Sequence, residues 1–243
     1  MTADSGTEQG RRARQDVWMQ AEPSTERVRV RRGAIRAEYD RAAILEVLDA
    51  GLIAHVGVTT DEGPIVLPMA YGRDDEWLYV HGSVANAALR AAVGQDICVT
   101  VTIVDGIVIG RSPFHNSMNY RGVVVRGVAR RVDDPDEHAR ALRLVSDHVV
   151  ATWDAGRPPS DGEVRKTMVV AVPLVEMSAK IRTGDPVDEP EDLDGPHWGG
   201  HVPIRSTWEA PVGSADLPAG VTVPAAIAAL EGRDPAHSRR PVG

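Results

Sequence analysis

Apolar positions along this chain come in short runs broken at close intervals by Asp, Gly and Pro, the pattern of strands joined by tight turns. The first periodic stretch is an exception. Over residues 40–50, Ile44, Leu45, Val47 and Leu48 share one face at helical spacing and Gly51 ends the run, which predicts an amphipathic helix. Strands are predicted at 52–59 and 64–71, joined by the Asp61-Glu62-Gly63 hairpin, and at 76–81. Ala-rich residues 84–93 predict a short helix with Ser83 as its N-cap. A fourth strand at 96–104 should close at Asp105-Gly106, a strong turn signal, with apolar sequence resuming at 107–111. The strand at 120–132 is long and interrupted by Gly122 and Gly127, so it should bend. A second helix is predicted at 136–150, capped near Asp133 or Asp134 with Pro135 in its first turn. The last strand is placed at 167–181, where Pro173 suggests an edge or a bulge. Many short strands with few helices predict a mainly β barrel with flanking helices.

The two ends read differently. Residues 1–26 are polar and aperiodic, a flexible N-terminal arm. The basic run 27–32 predicts a solvated arm pairing with local acids. Residues 27–182 form the predicted core domain. Residues 183–243 form an extension that starts in an acid- and Pro-rich loop at 185–194 and is expected to pack on the barrel or on a partner subunit.

Composition narrows the function. Apolar residues make up 42% of the 243, enough for a core, but aromatics only 4%, so the core must rest on Val, Ile, Leu and Ala. A net charge of −8 argues against a general nucleic-acid binder, which needs a basic footprint. Cys98, the single cysteine, supports neither a disulfide framework nor a zinc site. No apolar run is long enough to cross a membrane and no secretory leader is visible, so a cytoplasmic protein is expected.

Two polar stretches carry the candidate chemistry. Residues 112–121 pack Ser, His, Asn, Tyr and Arg into ten positions and run into Gly122-Val123-Val124-Val125. Arg121 would stand at the mouth of that strand, where a guanidinium can grip a phosphate bidentately, or simply pair with a nearby Asp. The second stretch, Tyr79-Val80-His81-Gly82-Ser83, ends a strand in a small-residue turn before a helix, a place suited to a phosphate. His81 at that junction can touch a ligand or be held structurally by backbone. No hydrolase elbow and no metal-binding His/Cys spacing is present.

In order and spacing, these stretches resemble the pyridoxamine 5'-phosphate oxidase-like superfamily, and most closely its nitroimidazole-resistance-like flavin-nucleotide-binding branch. The resemblance runs over residues 27–205. It rests on Tyr39-Asp40-Arg41, His55-Val56-Gly57, Pro68, Tyr71, the His81-Gly82-Ser83 turn and the Ser117-Met118-Asn119-Tyr120-Arg121 run. It implies a six-stranded antiparallel split β-barrel of Greek-key type that forms a homodimer and holds FMN in the dimer cleft. By resemblance, Val66, Pro68 and Met69 would lie along the flavin ring. His81, Ser83, Asn86, Asn119 and Arg121 would surround its ribityl phosphate. Lys180 and Trp198 would come from the C-terminal part, with Trp198 stacking on the ring or pinning the tail. The family's Ser-Arg pair inside the helix reads Asn86-Ala87 here, so one expected cation is absent.

The activity implied is that of an FMN-dependent oxidoreductase acting on a small molecule, such as a nitro compound or a quinone, in which the ring does the chemistry and the protein supplies orientation and electrostatics. Two rival readings stand beside it. One is a haem-binding split barrel with His81, His115 or His201 as axial ligand. The other is a non-catalytic flavin store.

Overall fold

In the computed structural model, residues 21–237 are described. The expected N-terminal arm lies mostly outside them. Where the basic run is seen it pairs with acids as expected: Arg27 with Asp96 and Glu176, and Arg29 with Glu26.

A two-residue strand β1 (Ala37–Glu38) leads into helix α1 (Arg41–Ala50). Asp40 caps α1 by accepting the Ala43 N–H, and the helix buries Ile44, Val47 and Leu48. The first hairpin follows as β2 (Ala54–Thr60) and β3 (Gly63–Met69). Gly63 turns it with φ +114°, open to glycine and strained for other residues. Then come β4 (Tyr71–Arg73), β5 (Trp77–Ser83) and helix α2 (Ala87–Ala92).

Strand β6 (Asp96–Ile109) corrects the expected turn at Asp105-Gly106. The strand runs straight through and the pair forms a β-bulge against β7 (Ser117–Val128). A Cβ at Gly106 would stand 2.7 Å from the Val202 carbonyl oxygen, so the glycine serves a close strand approach and not a reversal. After β8 (Arg130–Arg131) comes helix α3 (Pro135–Ser146), capped by Asp134 with Pro135 at its first position, as the sequence predicts. Helix α4 (Asp161–Lys166) leads into β9 (Thr167–Pro173) and β10 (Glu176–Arg182). The single last strand expected over 167–181 is therefore two strands in different sheets, β9 in the second and β10 in the first, joined by a turn at Leu174-Val175. Leu174 in its turn is fully buried, which keeps the sequence apolar through the reversal. The C-terminal extension adds β11 (Gly200–Pro203) and the single-turn helix α5 (Ala225–Ala228).

All pairings are antiparallel. One sheet runs β1-β10-β7-β6-β2-β3 with β11 beside β6, and a second runs β4-β5-β9-β8. Both sheets face one core of Val56, Val99, Val101, Val123, Val125, Leu78, Val80 and Val170, closed by Leu48 of α1. The molecule is mainly β with flanking helices. Tyr71 anchors α1 from inside, its hydroxyl bonded to the carbonyls of Leu48 and Gly51. On the other face of the second sheet, Tyr79, Val169 and Ala171 pack under Ala141 and Val145 of α3. Strand alternation decides which β5 residues meet α3. Leu78 and Val80 go to the main core, while Tyr79 and His81 point to the α3 side.

Candidate functional site

His81 lies opposite Val169 on the sheet face under α3. Past the last turn of α3 the chain swings out through Trp153 and returns along α4. A cavity of about 690 Å³ remains between sheet, helix and loop, walled by Ala70, His81, Leu142, Val145, Trp153 and Val164. That volume lies within the range of small-molecule and cofactor sites, and the walls are mostly apolar. The Nδ1 atom of His81 is buried and has no hydrogen-bond partner. Burial pushes the imidazole pKa below its ordinary value, so the ring is neutral near pH 7. Arg157 and Glu163 also line this cavity. Arg157 makes a fork to Glu163 at 2.8 and 2.6 Å. Glu163 closes a capping box with Ser160, and Arg157 first, then Ser160, hold its carboxyl well below the usual range.

Near this cavity the structure gathers several of the sequence-predicted residues. Strand β3 is the free edge of the first sheet, and Val66 and Pro68 are exposed on it. A Cβ at Gly82 would stand 3.7 Å from Asn86 Nδ2 and 4.0 Å from Met69 Cε, so Met69, Gly82 and Asn86 converge at the end of β5. Ser83 is the last residue of β5 and not the helix cap. Its Oγ accepts the Ala85 N–H at 3.1 Å, and Asn86 caps α2 by accepting the Leu89 N–H. Two residues of turn separate strand from helix, which moves the cap from the serine to the asparagine.

The other predicted residues belong elsewhere. Arg121 forks onto Asp105 at 3.0 and 2.7 Å and donates to the Ala236 carbonyl at 3.3 Å, which is the ion-pair reading and ties the tail to the barrel. Asn119 is buried, accepts from Arg182 Nη1 at 2.5 Å and donates to the Gly184 carbonyl at 3.1 Å. Lys180 donates to the Arg32 carbonyl. Trp198 is 62% exposed and outside the His81 cavity, its ring close over Gly200. His115 sits in the short turn at Pro113–His115, and His201 pairs with Asp185 at 2.8 Å. The wall residues Leu142, Trp153 and Val164 were not singled out from the sequence. Only the apolar face of α3 hinted at Leu142, a pattern that reads equally as packing, and no signal marked Trp153 or Val164.

Comparison with known proteins places this architecture. A family model described as pyridoxamine 5'-phosphate oxidase matches residues 40–181. The chain belongs to that family. The flavocytochrome Anf3 from Azotobacter vinelandii is 34% identical with a TM-score of 0.83, over 88% of this chain and all of that one. The FAD and haem binding protein from Mycobacterium smegmatis is 27% identical with a TM-score of 0.77, over 82% of this chain and 98% of that one. A candidate 5-nitroimidazole antibiotic resistance protein from Bacteroides thetaiotaomicron shares the fold at 24% identity and a TM-score of 0.51, over 60% of this chain and 86% of that one. No curated protein matches. These similar structures are named for flavin and for haem, and the split-barrel family is the one that the His81-Gly82-Ser83 and Ser117 to Arg121 motifs resemble.

Proposed function

We propose that this protein is a flavin-binding redox protein that also carries haem, which the α3 cavity would hold with His81 on its iron. The orphaned imidazole carries this reading. Nδ1 is closed off inside the protein, which leaves Nε2, bonded to no group among the described residues, as the ring nitrogen that can meet a ligand in the cavity. A neutral imidazole is the form that binds iron. Leu142, Val145 and Trp153 would contact the apolar macrocycle, while Arg157 at the wall is already paired with Glu163. For the flavin, the free edge of β3 offers main-chain groups at Val66 and Pro68, and the β5–α2 turn offers Ser83 and Asn86. The two sites share β5. When bound, the groups supply one- and two-electron transfer, while the chain binds them, orients them and excludes water. The names of the 34%- and 27%-identical structures favour two cofactors over FMN alone. An oxidoreductase acting on a small molecule, working as a homodimer, is part of this proposal.

The absorbance spectrum of protein purified from haem-sufficient cells tests it. The expected spectrum combines flavin bands with a Soret band, and His81→Ala should lose the Soret band while keeping its flavin. Released flavin, identified by mass, distinguishes FMN from FAD. A wild-type protein without a Soret band, or His81→Ala with an unchanged one, overturns the haem assignment.

A further inference from the structure

A second cavity, of about 410 Å³, lies away from His81, between the barrel and the returning C-terminal segment. Ile53 and Ile103 line its barrel side, with His55 and Thr102 among its polar groups. Ser206 and Trp208 close it from the tail. The tail is fixed around this space, not draped over it. Ile204 N–H bonds the Asp105 carbonyl at 2.9 Å. Trp208 exchanges backbone bonds with Arg233 and Gly232, each 2.9 Å. Arg121 holds the Ala236 carbonyl at 3.3 Å. A strap that served only to hold the barrel would fill the gap with side chains, since protein interiors pack densely. Here the residues facing it include the small Ala50, Ser206 and Ala236. The space is open to solvent on one side, where Ile53 is 45% exposed, so a ligand can enter it without opening the fold.

The lining says what the occupant is. Among the described residues no lysine or arginine lines the cavity. The adjacent Arg121 is committed to Asp105. A phosphate or carboxylate would find no cation and would meet Asp105 and Asp234. Asp105 is already paired with Arg121, and Asp234 accepts the Ala236 N–H at 2.9 Å. Apolar walls with an indole, beside hydroxyls and an imidazole, suit a ring compound with uncharged hydrogen-bonding groups at its edge. We infer that this cavity binds an uncharged aromatic carbonyl compound, of which a small quinone is the type.

Menadione, a neutral bicyclic quinone, is the probe, titrated calorimetrically into the full-length cofactor-loaded protein. Its sulfonated analogue serves as the anionic counterpart. Menadione is expected to bind, and the sulfonate at least tenfold more weakly. Ile53→Trp fills the cavity from a partly exposed position on the barrel side, and Ser206→Trp fills it from the exposed tail. Either should weaken menadione at least tenfold while leaving the flavin and haem absorbance of the protein unchanged. Absence of menadione binding, equal binding of the sulfonate, or unchanged binding in both filled variants overturns the inference. None of these outcomes depends on whether His81 ligates haem, which the absorbance spectrum reads separately.

Discussion

Glu137 shows how one carboxylate holds the roof of the His81 cavity in place. Arg130 forks onto it at 3.0 and 2.6 Å while lying over the Trp77 ring, and the Tyr79 hydroxyl stands 3.0 Å from it. The same hydroxyl reaches Asp74 and takes a bond from Arg140, so α3 is tied to β5 at both charges. Burial pushes the Tyr79 phenol well above its ordinary pKa, leaving it protonated and a donor throughout. The Arg130 guanidinium, the largest cause, together with Tyr79, holds the Glu137 carboxyl below its ordinary 4.5. A lowered carboxyl pKa contributes stability that is fully present above the unfolded value and is lost as pH falls through the folded one. Glu137→Gln should therefore cost about 1.5 kcal/mol at neutral pH, the scale of a charged hydrogen bond. The difference from wild type should begin to shrink as pH falls below 4.5 and should vanish only below the lowered folded pKa. Urea unfolding at pH 7 and at pH 3 measures both, and a constant difference at the two values would show that Glu137 acts through shape and not charge.

At the scale of elements, α1, α3 and the first hairpin were legible because their signals are local. The apolar face over 40–50 forms α1, Asp134 caps α3 as its sequence predicts, and Asp61-Glu62-Gly63 turns. The misread strands were those settled by distant partners. Asp105-Gly106 has the composition of a hairpin turn, yet β7 pairs on both sides of it and β11, from far along the chain, lies against it. The β9–β10 turn was hidden because Leu174 is a core residue. The same limit applied to the site. His81 and Asn86 were marked by a local motif. Arg121 looked like a phosphate grip because its Asp105 partner is sixteen positions away and its tail contact lies over a hundred positions away. The tail itself is an element of the barrel. Asp188, its side chain fully buried, takes the Arg111 N–H and guanidinium, and β11 pairs with β6 over four residues. Truncation after Asp185 should therefore lower the melting temperature by about 5 °C or more, since each kcal/mol moves a chain of this size by roughly 2–4 °C. It should also expose the 106–109 edge of β6. A thermal scan decides: an unchanged midpoint would mean the tail is a dispensable cover.

At the scale of the whole molecule, too much apolar surface is left uncovered for a single chain. Val66 is 62% exposed on the free edge strand, and Phe114, the sole phenylalanine, is 97% exposed on the turn before β7. Ile107, Met118 and Val202 add to this surface from β6, β7 and β11. Isolated apolar side chains are ordinary on protein surfaces, but an aromatic left in water and an apolar edge strand are features that interfaces bury. Among the described residues the helices do not cover the outer face of the first sheet: α1 closes the core and α3 packs on the second sheet. A second copy of the chain is the natural cover, and it would enclose a flavin held along β3. The protein should therefore be a dimer at micromolar concentration, burying more than about 2,000 Å². Each chain carries a net charge of −8, so association works against repulsion and must come from apolar burial. Raising the salt should then leave the dimer intact or strengthen it, because screening weakens the repulsion and not the apolar contact. Val66→Arg should shift the equilibrium towards monomer and release flavin together. Light scattering with in-line flavin absorbance measures both, and a monomeric wild type, or a monomeric Val66→Arg that keeps its flavin, would place the cofactor within one chain.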